Sequence, residues 1–406
     1  MNRPNVIFLG FTIPDDIAQQ YFKLDPNAAI QTHKFAWSFA RALSLHYDTT
    51  LVSSVPIQNY PLVNKILIKG ASFTQDNIHG ILTPFINILL LKHLTRFYVC
   101  FLILLNAYFT KKPSIIFIHG LHTPYLALGN IFKLLNVKIA VILTDPSGIE
   151  LDTDSLLAKK LKRLDKRVTK ILTRKADILI ALAPKLIEDI NNDVIKLVFP
   201  GILNKDFSNE IKNVRVKQKN IDVVKDKCFK VVYAGGLHDV YGIKTLTDAI
   251  LAFDRHVNIE MLFLGKGNQL DYIKEMSILD SRIEYGGFLN GSELITRIQE
   301  ADLLINPRPT LLDFSSHSFP SKLIEYLATG IPVLTTRIAS IPHDLEQLFY
   351  YIDDESKAGI QQAIVSVMTE EPKQRYLKAL KAKNYIEKAY SEEAIAEKIN
   401  HIVKQL

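Results

Sequence analysis

The stretch RIEYGGFLNGSELITRIQEADLLINPRPTLLDFSSHSFPSKLIEYLATGIPVLTT, residues 282–336, decides the fold. It opens on a short apolar run that stops at Gly286-Gly287. It then passes through a helical segment and returns to an apolar run, DLLINP (302–307), that ends in proline. Phe319-Pro320 precedes a helix from Ser321 to about Ala328; Gly330 ends it, and Pro332 leads into a further strand, IPVLTT. Short apolar strands alternating with helices imply βαβ units, hence a parallel sheet with helices on both faces.

The same rhythm continues outward. Upstream lie FKVVYAGG (229–236) and IEMLFLG (259–265); downstream lies LFYYI (348–352). The first half repeats it in NVIFLG (5–10), TTLVSS (49–54), KILIK (65–69), SIIFIH (114–119), KIAVILT (138–144), DILIALA (177–183) and IKLVF (195–199). Val and Ile dominate, as expected of strands buried on both faces. A polar stretch at 203–228 reads as a linker. A chain of 406 residues is too long for one core. The fold class is therefore α/β, with two doubly wound, Rossmann-like domains, the first ending near 205 and the second beginning at 206. Ligands of such sheets bind beyond the carboxyl ends of the strands, and with two domains the natural site is the cleft they face.

Composition narrows the function. Two cysteines, Cys100 and Cys228, give neither a disulfide framework nor a metal-binding pair, and point to a reducing, cytoplasmic setting. The net charge of +7 arises in the first half, most densely in KKLKRLDKRVTKILTRK (159–175). Its apolar residues recur at helical spacing, so it is either a solvated helix covering a core or a surface that meets anionic phospholipid. No nucleic-acid-binding pattern accompanies the charge. The longest apolar run, FYVCFLILLNAYF (97–109), falls short of the roughly twenty residues of a membrane span and reads as a buried or interfacial helix.

Three stretches carry chemistry. Gly235-Gly236 lies between a strand and a helix starting near Gly242, and Gly265-Lys266-Gly267 repeats the arrangement. A glycine turn before a helix N-terminus suits a phosphate, and is equally an ordinary βα turn. Lys266 is a phosphate ligand or an exposed loop lysine. Glu325, one turn beyond Ser321-Lys322, has the geometry to accept both hydroxyls of a ribose.

These residues, in this order, resemble the large retaining family 4 of glycosyltransferases, and FPSKLIEYLATGIPVL is close to the signature of its polysaccharide-assembling members. The resemblance implies the GT-B architecture, with a helix at 386–406 crossing back from a second domain (206–385) to the first. It implies that Glu325 holds the donor ribose and that Ser321 and Lys322 meet the pyrophosphate through their backbone. Phe319-Pro320 lies where the sugar ring is approached, Gly287-Phe288 reads the nucleobase edge, and Gly235-Gly236 flanks the phosphates. The chain departs from the family in two places. His317 stands where the family's first glutamate is usual, and Gly236 and Tyr241 occupy the places of its basic pair. Lys266 and Arg308 are then the cations left for the diphosphate.

In the first domain the loop at 27–33 has alanines where the family favours glycines. His119 ends strand SIIFIH and His122 follows it, and Asp145 ends KIAVILT. The resemblance makes His119 and Asp145 catalytic candidates beside Glu325 and His317; loop histidines and an Asp-Pro turn are the structural alternatives. The implied reaction is retaining transfer from a UDP- or GDP-sugar to a glycan or lipid-linked oligosaccharide. It needs no cofactor and no metal, since no DxD-type motif is present, and residues 85–109 and 159–175 are the expected contact with an anionic membrane. The rivals are an epimerase or sugar-phosphate synthase on the same architecture, and an inactive nucleotide-sugar-binding scaffold.

Overall fold

The computed structural model describes residues 3–25, 30–145, 156–188, 190, 194–213 and 228–406. The chain forms two compact units: Met1–Ile202 with Glu392–Leu406, and Leu203–Ser391.

The first unit contains β1 (Asn5–Gly10), α1 (Asp15–Phe22), α2 (Ile30–His46), β2 (Asp48–Ser53), β3 (Leu67–Ile68), β4 (Ala71–Gln75), β5 (Ile78–Leu82), β6 (Phe85–Ile86), α3 (Leu89–Lys111), β7 (Ile115–His119), α4 (Thr123–Lys133), β8 (Lys138–Leu143), α5 (Leu156–Thr173), β9 (Ile178–Ala181), α6 (Pro184–Glu188) and β10 (Ile195–Val198). Its sheet runs β10-β9-β8-β7-β1-β2-β5-β4 and is parallel except for the edge strand β4. Successive residues face opposite layers. Ile7, Leu9, Ile116, Ile118 and Val141 join the core that includes Cys100 and Leu104 of α3 and Leu128 of α4. Phe8 and Phe117 turn the other way onto Phe39 of α2, with centroids 5.5 and 6.0 Å away. Of KILIK only Leu67–Ile68 is extended, and it pairs with β6 outside the main sheet. The β4–β5 hairpin turns at Asp76-Asn77, both with positive φ (53° and 60°), a conformation these residue types tolerate.

The second unit contains α7 (Lys205–Asn213), β11 (Phe229–Ala234), α8 (Ile243–Leu251), β12 (Ile259–Leu264), α9 (Leu270–Leu279), β13 (Ile283–Tyr285), α10 (Gly291–Gln299), β14 (Leu303–Asn306), α11 (Asp313–His317), α12 (Lys322–Ala328), β15 (Val333–Thr336), α13 (His343–Glu346), β16 (Tyr350–Ile352), α14 (Lys357–Thr369) and α15 (Pro372–Ala389). Its six strands, in the order β13-β12-β11-β14-β15-β16, are all parallel. The linker reading of 203–228 fails at Lys205–Asn213. That segment is a helix whose Phe207 and Ile211, four residues apart, are buried, and it packs on α10. Residues 214–227, the rest of that reading, and 27–29 of the alanine loop lie outside the described residues.

Helix α3 extends beyond the expected run 97–109. It has 23 residues and is long and apolar enough, by length and composition, to cross a membrane. Its polarity is inverted. Lys92, Arg96, Cys100, Leu104 and Ala107 make the buried side, whereas Leu90, Leu94, Tyr98, Leu102 and Phe109 are exposed.

The last helix, α16 (Glu392–Val403), packs on α2 and belongs to the first unit. Arg41 Nε donates to both carboxylate oxygens of Glu392, at 2.9 and 3.0 Å, and Nη2 lies 2.8 Å from Oε1. Glu392 is only 4% exposed. Arg41 is only partly buried and keeps a second carboxylate, with Nη1 3.1 Å from Asp76 Oδ2, so Glu392→Ala is expected to cost about 2 kcal/mol in urea unfolding, the scale of a lost charge-assisted hydrogen bond, with Glu392→Gln costing less.

Candidate functional site

The three glycine turns meet at the carboxyl ends of the neighbouring strands β11, β12 and β13. Gly235 N–H donates to the Leu264 carbonyl at 2.8 Å, Gly265 N–H to the Gly287 carbonyl at 2.9 Å, and Leu237 N–H to the Lys266 carbonyl at 2.9 Å. Tyr285 Oη donates to the Gly265 carbonyl at 3.0 Å. At Gly265 the backbone has φ +142°, and a Cβ there would stand 1.8 Å from the Gly235 carbonyl oxygen. Only glycine allows so close an approach of two loops. Lys266 and Phe288 share this rim, with Nζ 4.9 Å from the ring centroid and the ring half exposed.

Helix α12 reaches the same edge because Tyr326 is pinned to β11. Its hydroxyl accepts the Ala234 N–H at 2.7 Å and donates to the Ala234 carbonyl at 2.8 Å. Lys322, four residues earlier, shares that helix face. Its Nζ lies 3.7 Å from the Tyr233 ring centroid and 2.8 Å from where a Cβ on Gly235 would stand. Among the described residues no hydrogen bond or ion pair holds this nitrogen. Burial, and then the charge of Arg308, push the Lys322 ammonium well below the usual lysine range.

Arg308 follows β14, the strand on the other side of β11. It is 5% exposed, its guanidinium carbon is 5.5 Å from the Tyr241 ring centroid, and Nη1 donates to the Ser318 carbonyl at 3.3 Å. Its backbone carbonyl accepts from Thr336 Oγ1, and Ser340 Oγ donates to the Ser315 carbonyl at 3.1 Å. Tyr241, which occupies a place of the family's basic pair, therefore stacks on a cation delivered from another strand. Gly236 is packed against Tyr241 and His238, and its carbonyl accepts from Tyr233 Oη at 2.8 Å.

The remaining candidates lie as follows. Phe319 is buried, and Pro320 accepts the Leu323 N–H through its carbonyl at 2.9 Å. Ser321 is the exposed N-cap of α12, and Glu325 is partly exposed on its first turn. His317 ends α11, 8% exposed, with Nδ1 3.2 Å from Ser316 Oγ. The structure thus collects Gly235, Gly236, Lys266, Gly287, Phe288, Arg308 and Lys322 along one edge of the second unit. The sequence reading assigned Lys322 by its backbone alone. The i, i+4 spacing to Tyr326 was the available sign that its side chain turns toward β11.

His119 and Asp145 belong to the first unit, at the ends of the adjacent strands β7 and β8. His119 is not on a surface loop. It is 1% exposed, between the rings of Phe8 and Phe35, each 5.8 Å away, and both its ring nitrogens lack hydrogen-bond partners. Burial lowers it to about 4. Asp145 is pushed above the usual carboxylate range by desolvation, against a hydrogen bond from Thr144.

Residues 228–370 match the family described as "Glycosyl transferases group 1". Among solved structures, sucrose-phosphate synthase from Thermosynechococcus elongatus is 13% identical, with a TM-score of 0.64 over 99% of this chain and 98% of that one. Anabaena HepE in complex with UDP is also 13% identical, at 0.64 over 99% and 100%. The trehalose-6-phosphate synthase OtsA is 11% identical, at 0.67 over 99% of each chain. Among curated proteins none matches the chain. The fold is GT-B. Of this chain, residues 228–370, within the second unit, are similar to the group 1 glycosyltransferase family, and the likeness to the solved structures concerns the fold.

His119 gives a pH prediction. A histidine whose pKa falls on folding leaves the native state binding fewer protons than the unfolded chain. The stability is complete above the unfolded value of about 6.5 and is lost as pH falls toward about 4. The loss is expected to be about 3 kcal/mol. Urea unfolding of wild type and His119→Phe at pH 7 and 4.5 checks it; the substitution is expected to flatten the dependence.

Proposed function

We propose that this protein transfers a sugar, with retention, from a UDP- or GDP-linked donor to a glycan or lipid-linked oligosaccharide acceptor in polysaccharide assembly. The observation that carries this reading is the basic, glycine-lined edge of the second unit, where Lys322 sits beneath the Gly235 turn with Arg308 beside it. A nucleoside diphosphate is the ligand such an edge fits. Its base would lie toward Gly287-Phe288, its ribose on Glu325, and its diphosphate over Gly235-Gly236 and the start of α12. HepE has been described with UDP and with UDP and glucose, and a trehalose-6-phosphate synthase with UDP-2-fluoro glucose, which supports a nucleotide-sugar donor here.

The chemistry follows from charge. As the sugar–phosphate bond breaks, negative charge develops on the diphosphate. Burial drives Lys322 toward its neutral form, and a bound diphosphate restores the ammonium because an opposite charge favours the charged state. Arg308, Lys322 and Lys266 then neutralise the leaving group, in place of the basic pair replaced by Gly236 and Tyr241. The departing phosphate oxygen accepts the acceptor hydroxyl's proton, and His317 is assigned to orienting the donor sugar.

Thermal unfolding with UDP, GDP, ADP and CMP tests the donor site. One nucleoside diphosphate at about 100 times its dissociation constant is expected to add roughly 2.7 kcal/mol to wild type and almost nothing to Glu325→Ala. Stabilisation by none of them would overturn the reading.

The acceptor side is assigned to an anionic bilayer. Helix α3 presents Leu90, Leu94 and Tyr98 outward. Helix α5, which packs on α4 as α3 does, exposes Leu161, Leu164 and Ile171 among lysines and arginines. Apolar insertion beside basic charge is the pattern that binds anionic membrane surfaces. In flotation assays the enzyme is expected to bind vesicles of mixed phosphatidylcholine and phosphatidylserine. Leu90→Ser with Leu94→Ser, or alanine at the α5 lysines, is expected to weaken that binding at least several-fold.

A further inference from the structure

The buried side of α3 carries charge that the donor reading does not use. Lys92 and Arg96 are 6% and 3% exposed. Arg96 Nη2 donates to the Val55 carbonyl at 2.6 Å; Lys92 Nζ donates to the Ile57 carbonyl and to Asn59 Oδ1. The Arg96 guanidinium lies over Phe85, 4.1 Å from its centroid, and 5.3 Å from that of Phe11. The ring of His122 lies edge-on to Phe11, 5.2 Å away, and the exposed His93 lies 5.4 Å from His122. Four basic groups thus converge just beyond the carboxyl ends of β1 and β7, the edge where parallel α/β sheets bind ligands.

Two features separate this cluster from structural anchoring. Among the described residues none of the four forms an ion pair; Asp25 and Asp165 are the acids whose fields reach Lys92 and His93. Asp25 accepts the Gln58 N–H, and Asp165 accepts from Thr123 Oγ1. Buried cations without a counter-charge are costly. The cluster also holds unused polar atoms: both ring nitrogens of His122 and the Nε of Arg96 have no partner. Anchoring to backbone and Asn59 oxygens explains Lys92 Nζ and Arg96 Nη2 and leaves the His122 nitrogens unexplained. Burial, and then repulsion from Arg96, hold Lys92 at about 7 and His122 well below the usual histidine range, an arrangement that an anion would oppose.

We propose that Lys92, His93, Arg96 and His122 form a phosphoryl-binding site on the first unit, and that the acceptor substrate carries a phosphate or diphosphate. The second clause rests on the glycosyltransferase reading; the first stands on the cluster alone. The exposed leucines on the outer side of α3 make a lipid-borne phosphate one source, and a soluble sugar phosphate is the other.

The test is calorimetry on the full-length enzyme saturated with UDP, which occupies the donor site, titrated with inorganic pyrophosphate. A second arm uses phosphatidylcholine vesicles carrying a polyprenyl diphosphate. Wild type is expected to bind at least one of them. His93→Glu, a change at an exposed position, is expected to weaken that binding tenfold or more with UDP affinity unchanged; His122→Phe should do the same. Binding of pyrophosphate assigns a soluble source, and binding of vesicles alone a lipid one. Equal binding by wild type and His93→Glu, or no binding of either probe, would overturn the proposal. Loss of UDP binding in wild type would count against the donor reading instead, and the comparison of wild type with His93→Glu would still decide this one.

Discussion

The candidate donor edge depends on one contact, the two-way hydrogen bond between the Tyr326 hydroxyl and the backbone of Ala234. Ala234 is the last residue of β11, so both its polar groups sit where the ladder to β14 has ended. An unpaired buried amide costs about 1–3 kcal/mol. A tyrosine that both donates and accepts satisfies N–H and C=O together and fixes a short helix of seven residues, which has little stability of its own, against the sheet. The glycine turn, the lysine beneath it and the carboxylate on the helix's first turn all take their places from that contact.

The other constraint is the closeness of the β11 and β12 loops. Gly235 and Gly265 approach until no side chain fits between them, and the surface above is lined by backbone. Cations then have to come from elsewhere. Arg308 arrives from β14 and Lys322 from α12, each beside a tyrosine ring. The aromatic faces of Tyr241 and Tyr233 give these charges a favourable contact at the cost of part of their hydration.

Much of this was legible in the sequence. Runs such as FKVVYA and IEMLFL announce parallel strands through unbroken Val, Ile and Leu, and glycines mark their ends. The β4–β5 hairpin escaped because ASFTQ and IHGIL are only five residues each and ASFTQ is mostly polar, although Asp76-Asn77 between them is a turn signal. Helix α7 was hidden by its polarity, with only Phe207 and Ile211 facing inward. The buried positions of His119 and Phe319 could not be read locally, since they depend on Phe8, Phe35 and other residues far away in sequence. The sidedness of α3 was invisible for a further reason. An apolar helix is expected to bury leucine, and here lysine and arginine are drawn inward by carbonyls of the 55–57 loop, which no periodicity encodes.

The first unit is discontinuous. Its sheet is complete by Val198, yet α16 begins at Glu392, and the buried carboxylate that pairs with Arg41 is the first residue of that helix. During synthesis the ribosome delivers the whole second unit before that carboxylate exists. The α2 surface that α16 covers therefore has no such cover until residues 392–403 have been made. The half begun first is thus the one whose last element comes last in the chain.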